Sequence, residues 1–199
     1  MKRPIDLALE KIGENLRRMA TATENILNEM GGEMRFSLER IAIYSSEIRG
    51  LRAEIHSLVT EAIARYQPVA SDLRYLLASL EISYGLFRFS RYALDIAYII
   101  KSASADRGVE CEFPTSKKML PHVINMMRES IESFMKRDRE KAKKVIELDS
   151  VVDKLMSEAM KKAFETNDRC LYLDFILSVY LERIADHSVY IASDTLFML

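Results

Sequence analysis

The stretch LERIADHSVYIA (residues 181–192) decides the fold, because an earlier stretch, LFRFSRYALDIA (residues 86–97), repeats its pattern. With Phe87 laid on Glu182, the two stretches share few identities but agree in the positions of their apolar residues. The spacing of those residues, by three and four, is typical of an amphipathic helix. The same helix therefore occurs once in each half of the chain, which indicates an internal duplication.

A second pair of stretches supports the duplication. SSEIRGLRAE (residues 45–54) and DSVVDKLMSE (residues 149–158) match in apolar register when Leu51 is laid on Leu155. In both halves this helix precedes the one described above, so the order of the two helices is also repeated.

Glycine and proline mark the ends of six predicted helices. The first opens at Pro4 and ends before Gly31, and the second ends before Pro68, because a residue before proline is pushed out of the helical region. A polar segment at residues 102–118 separates the third helix from the fourth. Further breaks before Asp138 and at residues 166–168 separate the last three helices.

We therefore expect an all-α protein of two tandem three-helix bundles, six helices in total, related by internal duplication. The predicted domains are residues 1–101 and residues 119–199, joined by a linker at residues 102–118. Only 6 glycines and 4 prolines occur in 199 residues, fewer than the turns of a β-rich fold need.

Composition excludes several classes of protein. Lysine and arginine number 29 against 30 acidic residues, so no overall positive charge attracts nucleic acid. No apolar run is long enough to cross a membrane, and the first residues contain no signal-peptide core. The only cysteines, Cys111 and Cys170, match no zinc-site spacing and form no disulfide framework, so we expect a reducing, cytoplasmic setting.

Acidic residues interrupt the apolar stripes of the fifth and sixth helices. Asp149 and Asp153 lie in one stripe, and Glu182 and Asp186 lie in the other, each pair four residues apart. If the two helices pack together, the four carboxylates converge, repel one another and raise one another's pKa. A bound cation relieves that repulsion, and carboxylate oxygens suit divalent metals or iron. These four residues are the predicted metal ligands.

The first repeat carries no acid at the matching positions, which are Ser45, Arg49, Phe87 and Arg91. Arginines do not bind a cation, so we expect Arg49 and Arg91 to contact an anion or a partner instead. A simpler interpretation of the acidic pairs is a solvated helix face neutralised by Lys154 or Arg183.

The sequence resembles the PhoU family of phosphate-uptake regulators. The resemblance is carried by QPVASDLR (residues 67–74), VIELDSVVDKL (residues 145–155) and LERIADHSVYIA (residues 181–192), and it covers essentially the whole chain. It implies two three-helix PhoU repeats with multinuclear metal sites on acidic helix surfaces, with iron, zinc or another metal bound. The arginines of the first repeat depart from the family pattern, so we expect one of the metal sites to be absent.

The resemblance also implies a function and partners. A PhoU-like protein is a non-enzymatic, cytoplasmic regulator that represses the phosphate-starvation response. It contacts a phosphate ABC transporter of the Pst type and a sensor histidine kinase, touches the membrane only through that complex, and is expected here to be a homodimer.

Two other functions remain open from the sequence. A carboxylate-bridged metal oxidase on a helical bundle typically uses Glu-x-x-His pairs, and none of His56, His122 and His187 has a glutamate three residues before it. A metal-free helical scaffold that has diverged from the family is the other alternative.

Overall fold

The computed structural model describes residues 3–31, 34, 36–104 and 111–199, and these form six helices without a strand among them. The helices are α1 (Pro4–Met30), α2 (Leu38–Tyr66), α3 (Ala70–Ser104), α4 (Pro114–Lys136), α5 (Arg139–Glu165) and α6 (Arg169–Met198). The predicted number of helices and the all-α class are confirmed.

Local capping explains where several helices begin and end. The carboxylate of Asp138 accepts a hydrogen bond from the amide of Lys141 (3.0 Å) at the start of α5. Asp168 accepts one from the amide of Cys170 (2.7 Å) at the start of α6. These contacts satisfy amides that have no partner inside the helix. At the end of α2, Gln67 lies outside the right-handed helical region, in the left-handed conformation, immediately before proline, and the helix ends at the predicted break.

The six helices form two three-helix bundles that share one long contact. Helices α1, α2 and α3 all touch one another, and so do α4, α5 and α6. The bundles meet mainly where α3 packs along α6, and α1 touches α4 only slightly. As a result α2, α3, α6 and α5 lie side by side in one layer, with α1 and α4 covering one side of it.

The contact between α3 and α6, here called the seam, is antiparallel. The ring of Tyr84 packs near His187, and the ring of Tyr92 packs near Tyr180 further along α3 and further back along α6. Gly85 allows the close approach, because a Cβ at this position would lie 2.9 Å from Cγ1 of Ile191.

The structure differs from the sequence analysis in two respects: the extent of the linker at residues 102–118 and the pairing of the two cysteines. Helix α3 continues to Ser104 and α4 already starts at Pro114, so both ends of the predicted linker are helical. Residues 105–110 lie outside the described part of the chain. Cys111 is joined to Cys170 by a disulfide bond, which the spacing of the two cysteines in the sequence did not predict. The Cα atoms are 5.2 Å apart although 59 positions separate them in sequence.

None of the six described helices combines the length and the hydrophobicity that crossing a lipid bilayer requires.

Candidate functional site

Helices α5 and α6 bring the four predicted ligands together on the uncovered side of the layer. Asp149 interacts electrostatically with Asp153 and with Asp186 across the helix pair. Glu182 interacts in turn with Asp186, Asp153 and Asp149. The spacing of four residues on each helix, together with the packing of α5 on α6, produces this acidic cluster.

Partial burial makes the cluster costly to ionise. Burial is the main cause that raises the pKa values of Asp149, Glu182 and Asp186, and the neighbouring carboxylates raise them further. The side chains of Glu182 and Asp186 are only 16% and 22% exposed. One carboxylate oxygen of Asp149 is buried without any hydrogen-bond partner. Such an oxygen is stabilised by a cation or by protonation.

Arg183 neutralises part of the cluster. Its guanidinium lies 3.1 Å from Asp186 and 3.5 Å from Glu182, and it lowers the pKa values of both carboxyls. Within the described residues, no three His, Cys, Asp or Glu side chains are placed so that they could hold one metal ion together. The donor chemistry of the cluster suits a hard cation, but the carboxylates of Glu182 and Asp186 are paired with Arg183.

The matching surface of the first repeat has the opposite charge. Arg49 is exposed and makes no ion pair within the part of the chain that the structure describes, and Arg91 lies 3.8 Å from Asp95. Ser45 is buried and shares a hydrogen bond with Ser90 (3.3 Å). Phe87 is half-buried, and its ring lies 5.1 Å from the guanidinium of Arg52.

An aromatic cluster fills the seam between the two charged surfaces. The rings of Tyr84, Tyr92 and Tyr190 lie between 5.4 and 5.9 Å from the imidazole of His187. Burial, together with the nearby charges of Arg88 and Arg183, lowers the pKa of His187 to about 4. The imidazole is therefore neutral at physiological pH, and it belongs to this aromatic cluster.

Two further features of the second repeat could not be found from helix periodicity. The carboxylate of the buried Asp174 accepts hydrogen bonds from the amides of Thr115 (2.9 Å) and Ser116 (2.8 Å), so α6 caps the start of α4. The disulfide between Cys111 and Cys170 lies one helical turn away from this cap. The only sequence signal for either feature is the occurrence of two cysteines, which does not reveal that they pair.

The architecture and the surface define a class of protein: a tandem three-helix-repeat protein whose two repeats present oppositely charged helix pairs. The family model described as "PhoU domain" matches residues 37–100 and again residues 117–195. The matches span more than half of the chain, so this protein belongs to the PhoU domain family, and the predicted family is confirmed.

Curated relatives match along most of the chain. A phosphate-specific transport system accessory protein PhoU homolog 1 from Methanothermobacter thermautotrophicus is 25% identical over 96% of this chain and 89% of its own length. A phosphate-specific transport system accessory protein PhoU homolog from Zymomonas mobilis is 31% identical over 76% of this chain and 66% of its own length.

Solved structures share the fold. The crystal structure of PhoU from Pseudomonas aeruginosa superposes with a TM-score of 0.72 at 20% identity, covering 98% of this chain and 94% of that one. The phosphate transport system regulatory protein PhoU from Streptococcus pneumoniae gives a TM-score of 0.69 at 17% identity, covering 98% and 92%.

Proposed function

We propose that this protein is a cytoplasmic regulator of phosphate transport and of the phosphate-starvation response, and that it acts by protein–protein contact rather than by catalysis. The observation that carries the proposal is the pair of PhoU-domain matches, with relatives named as phosphate-transport accessory proteins. A phosphate importer of the Pst type and a sensor histidine kinase are the proposed partners.

Deletion of the gene in the native host tests the regulatory role. In phosphate-rich medium we expect higher phosphate uptake and higher transcription of phosphate-starvation genes in the deletion strain than in its parent. A plasmid copy of the intact chain should restore repression. Unchanged uptake and transcription in the deletion strain would contradict the proposal.

The cytoplasmic setting needs its own test because of the disulfide. Disulfides are uncommon in most cytosolic proteins. Alkylating free thiols in living cells before lysis, followed by mass spectrometry, would show whether Cys111 and Cys170 are paired there. Cell fractionation should find the protein among the soluble cytoplasmic proteins and, in the membrane fraction, together with the importer complex. Secretion of the protein would contradict the cytoplasmic assignment.

We further propose that the acidic cluster holds a divalent or multinuclear metal ion. The unsatisfied oxygen of Asp149 and the raised pKa values of three of its carboxyls support this proposal, because a cation removes both costs. Metal binding requires Arg183 to leave Glu182 and Asp186, to which it is paired. The bound metal would contribute structure or sensing, and no catalytic step is assigned to it.

Metal content by mass spectrometry tests this site on protein purified without chelators. Asp149→Asn combined with Glu182→Gln should abolish metal uptake. The matched control, Glu158→Gln combined with Glu165→Gln, removes two exposed charges elsewhere on α5 and should leave the metal content unchanged. Equal metal content in wild type and in the Asp149/Glu182 variant would exclude the site. Wild-type protein without metal would favour the alternative function, a metal-free helical scaffold. The observation that supports this alternative is the pairing of Arg183 with Glu182 and Asp186.

A further inference from the structure

A cavity of about 340 Å³ lies where the two repeats meet at one end of the molecule. The first repeat contributes one wall, which comes from α1 and from the first turns of α3. The second repeat contributes Arg137, which directly follows α4, and Met198 at the end of α6. None of the four residues of the acidic cluster lines this cavity, which we call the inter-repeat cavity.

Gly13 makes room for two polar side chains in the inter-repeat cavity. It lies within α1, where glycine is less favourable than alanine. A Cβ at this position would lie 3.1 Å from the hydroxyl of Tyr75 and 3.7 Å from Nη1 of Arg17. The phenol and the guanidinium therefore converge over the backbone of α1, in a space that a larger side chain would narrow.

A second guanidinium approaches the same phenol from the other repeat. The charges of Arg137 and Arg17 both act on Tyr75 and favour its ionised form, but burial is the larger effect and raises the pKa of the phenol. Its hydroxyl therefore remains a hydrogen-bond donor at physiological pH. Arg137 adopts the left-handed conformation (φ 54°), which is uncommon for a residue with a side chain. The bend that ends α4 thus brings an arginine to the cavity.

The two arginines lack a carboxylate partner. Among the residues that the structure describes, no aspartate or glutamate forms an ion pair with Arg17 or Arg137. Two acids do line the cavity, but Asp72 is paired with Arg3 (2.8 Å), and Glu10 also takes part in a polar contact. Two guanidinium groups of like charge therefore face one cavity, and a bound anion would relieve their repulsion.

The donors in the inter-repeat cavity suit a phosphate group on a small organic molecule. A guanidinium matches the oxygens of a phosphate group in a bidentate arrangement, and the terminal oxygens of a phosphate monoester can also accept from the hydroxyl of Tyr75. The volume is in the range of about 300–1,000 Å³ that is typical of sites for organic ligands, so it leaves space beyond the phosphate. Leu9 and Met198 provide apolar surface in that space.

We propose that the inter-repeat cavity binds a phosphate monoester, with its phosphate held by Arg17, Arg137 and Tyr75 and its organic part against Leu9 and Met198. The bound ester would connect α1 to the turn after α4, and these two helices otherwise touch only slightly. Ligand binding would therefore couple the two repeats. This site goes beyond the proposed regulatory function and requires neither the importer nor a metal ion.

Isothermal titration calorimetry with phenyl phosphate tests the site in a phosphate-free buffer that contains a chelator. Wild type should bind one phenyl phosphate per chain, and the ligand should raise the melting temperature. Arg17→Gln and Arg137→Asn should each weaken binding about tenfold or more, because each removes a charge-assisted hydrogen bond. Asparagine tolerates the left-handed conformation at the end of α4. Circular dichroism should show the helix content of wild type in both variants.

Two further variants separate loss of the site from damage to the fold. Gly13→Ala should retain the helix content, since alanine favours a helix, but should weaken binding because its Cβ enters the space beside Tyr75. The matched control Arg18→Gln removes the neighbouring arginine of α1, which is exposed and pairs with Glu47 (3.6 Å), and should bind like wild type. Inorganic phosphate should bind more weakly than phenyl phosphate, because it has no organic part.

Several results would overturn the proposal. Wild type that shows no saturable binding of phenyl phosphate up to about 10 mM would exclude the site. Wild-type affinity in the folded variants of Arg17, Arg137 and Gly13, or an equal loss in Arg18→Gln, would show that binding occurs elsewhere. Inorganic phosphate that binds as tightly as phenyl phosphate would overturn the assignment to a monoester.

Discussion

The surfaces of α2–α3 and α5–α6 occupy equivalent places in the two repeats but have opposite charge. In the first repeat, Ser45 is buried and shares a hydrogen bond with Ser90, and Arg49 is exposed to solvent. Neither side chain is in an unfavourable environment. In the second repeat, every carboxyl of the cluster whose pKa is shifted has it raised, which means that folding makes ionisation harder. The bundle folds with either charge, so the acidic residues are not needed for the architecture.

The two repeats also differ in how they are held together. The second contains the disulfide and the buried cap of Asp174, both of which attach the start of α4 to α6. The first repeat has its corresponding start at the surface, where Arg3 pairs with Asp6 and Asp72. The repeat with the unfavourable charges is therefore the one with additional covalent and buried polar constraints.

Removal of the disulfide should have the largest effect on this difference. Cys111→Ser combined with Cys170→Ser opens a loop that spans 59 positions and, in the chain-entropy model, lowers the free energy of unfolding by about 4 kcal/mol. Urea denaturation measures the loss, and hydrogen exchange should show it first in α4. Equal stability of the variant and of oxidised wild type would show that the bond adds no constraint.

Loss of the buried cap should be the next largest effect. Asp174→Ala leaves the amides of Thr115 and Ser116 without their acceptor and should cost about 2–3 kcal/mol, as expected for hydrogen bonds to a charged group. Asp168→Ala removes an exposed cap of α6 and provides the comparison, with an expected cost of about 1 kcal/mol. If both variants lose the same stability, burial of Asp174 is not the cause.

The pH dependence of stability should be dominated by the second repeat. Burial, reinforced by Glu81, raises the pKa of Asp194 from 3.8 to about 6. The folded protein therefore binds more protons than the unfolded chain between these values, and stability from this group falls as pH rises from about 4 to about 6. Asp194→Asn should remove this fall and stabilise the protein at pH 7 by about 1 kcal/mol.

Thermal melts of wild type and Asp194→Asn across that pH range measure the effect. Glu81→Gln removes only the charge next to Asp194, so it should reduce the loss of stability with rising pH without abolishing it. Parallel pH profiles for wild type and Asp194→Asn would show that this carboxyl is not the source.

The smallest expected effect concerns the acidic cluster itself. With a chelator present, Asp149→Asn combined with Glu182→Gln should raise the free energy of unfolding by about 0.5 kcal/mol, because two partly buried charges are removed and solvent screens the rest. Arg49→Ala at the matching surface of the first repeat should leave stability unchanged. Destabilisation by the double substitution would mean that the pairs with Arg183 outweigh the repulsion.

Much of the fold could be predicted from local signals. Pro4 and Pro68 limit the first two helices because proline fixes its own backbone and restricts the residue before it, and Gly31 ends α1 because glycine is a poor helix former. Asp138 and Asp168 immediately precede α5 and α6 because a carboxylate satisfies the free amides of a first turn. The prediction was less accurate at residues 102–118, where Gly108 and Pro114 suggested a longer break than the described residues show. Proline is compatible with the first turn of a helix, and α4 starts with it.

The sequence by itself determined the helices, their duplication and the reversal of charge between the repeats, because these depend on residue type and spacing along one chain. Only the tertiary structure decided which side of the layer remains open, which cysteines and caps meet, and how Arg183 pairs with Glu182 and Asp186. These features depend on the packing of α3 along α6 and of α4 on α6. Contacts between residues that are distant along the chain leave no periodic signal in the sequence. Gly85 illustrates the distinction, because its role becomes visible only beside Ile191.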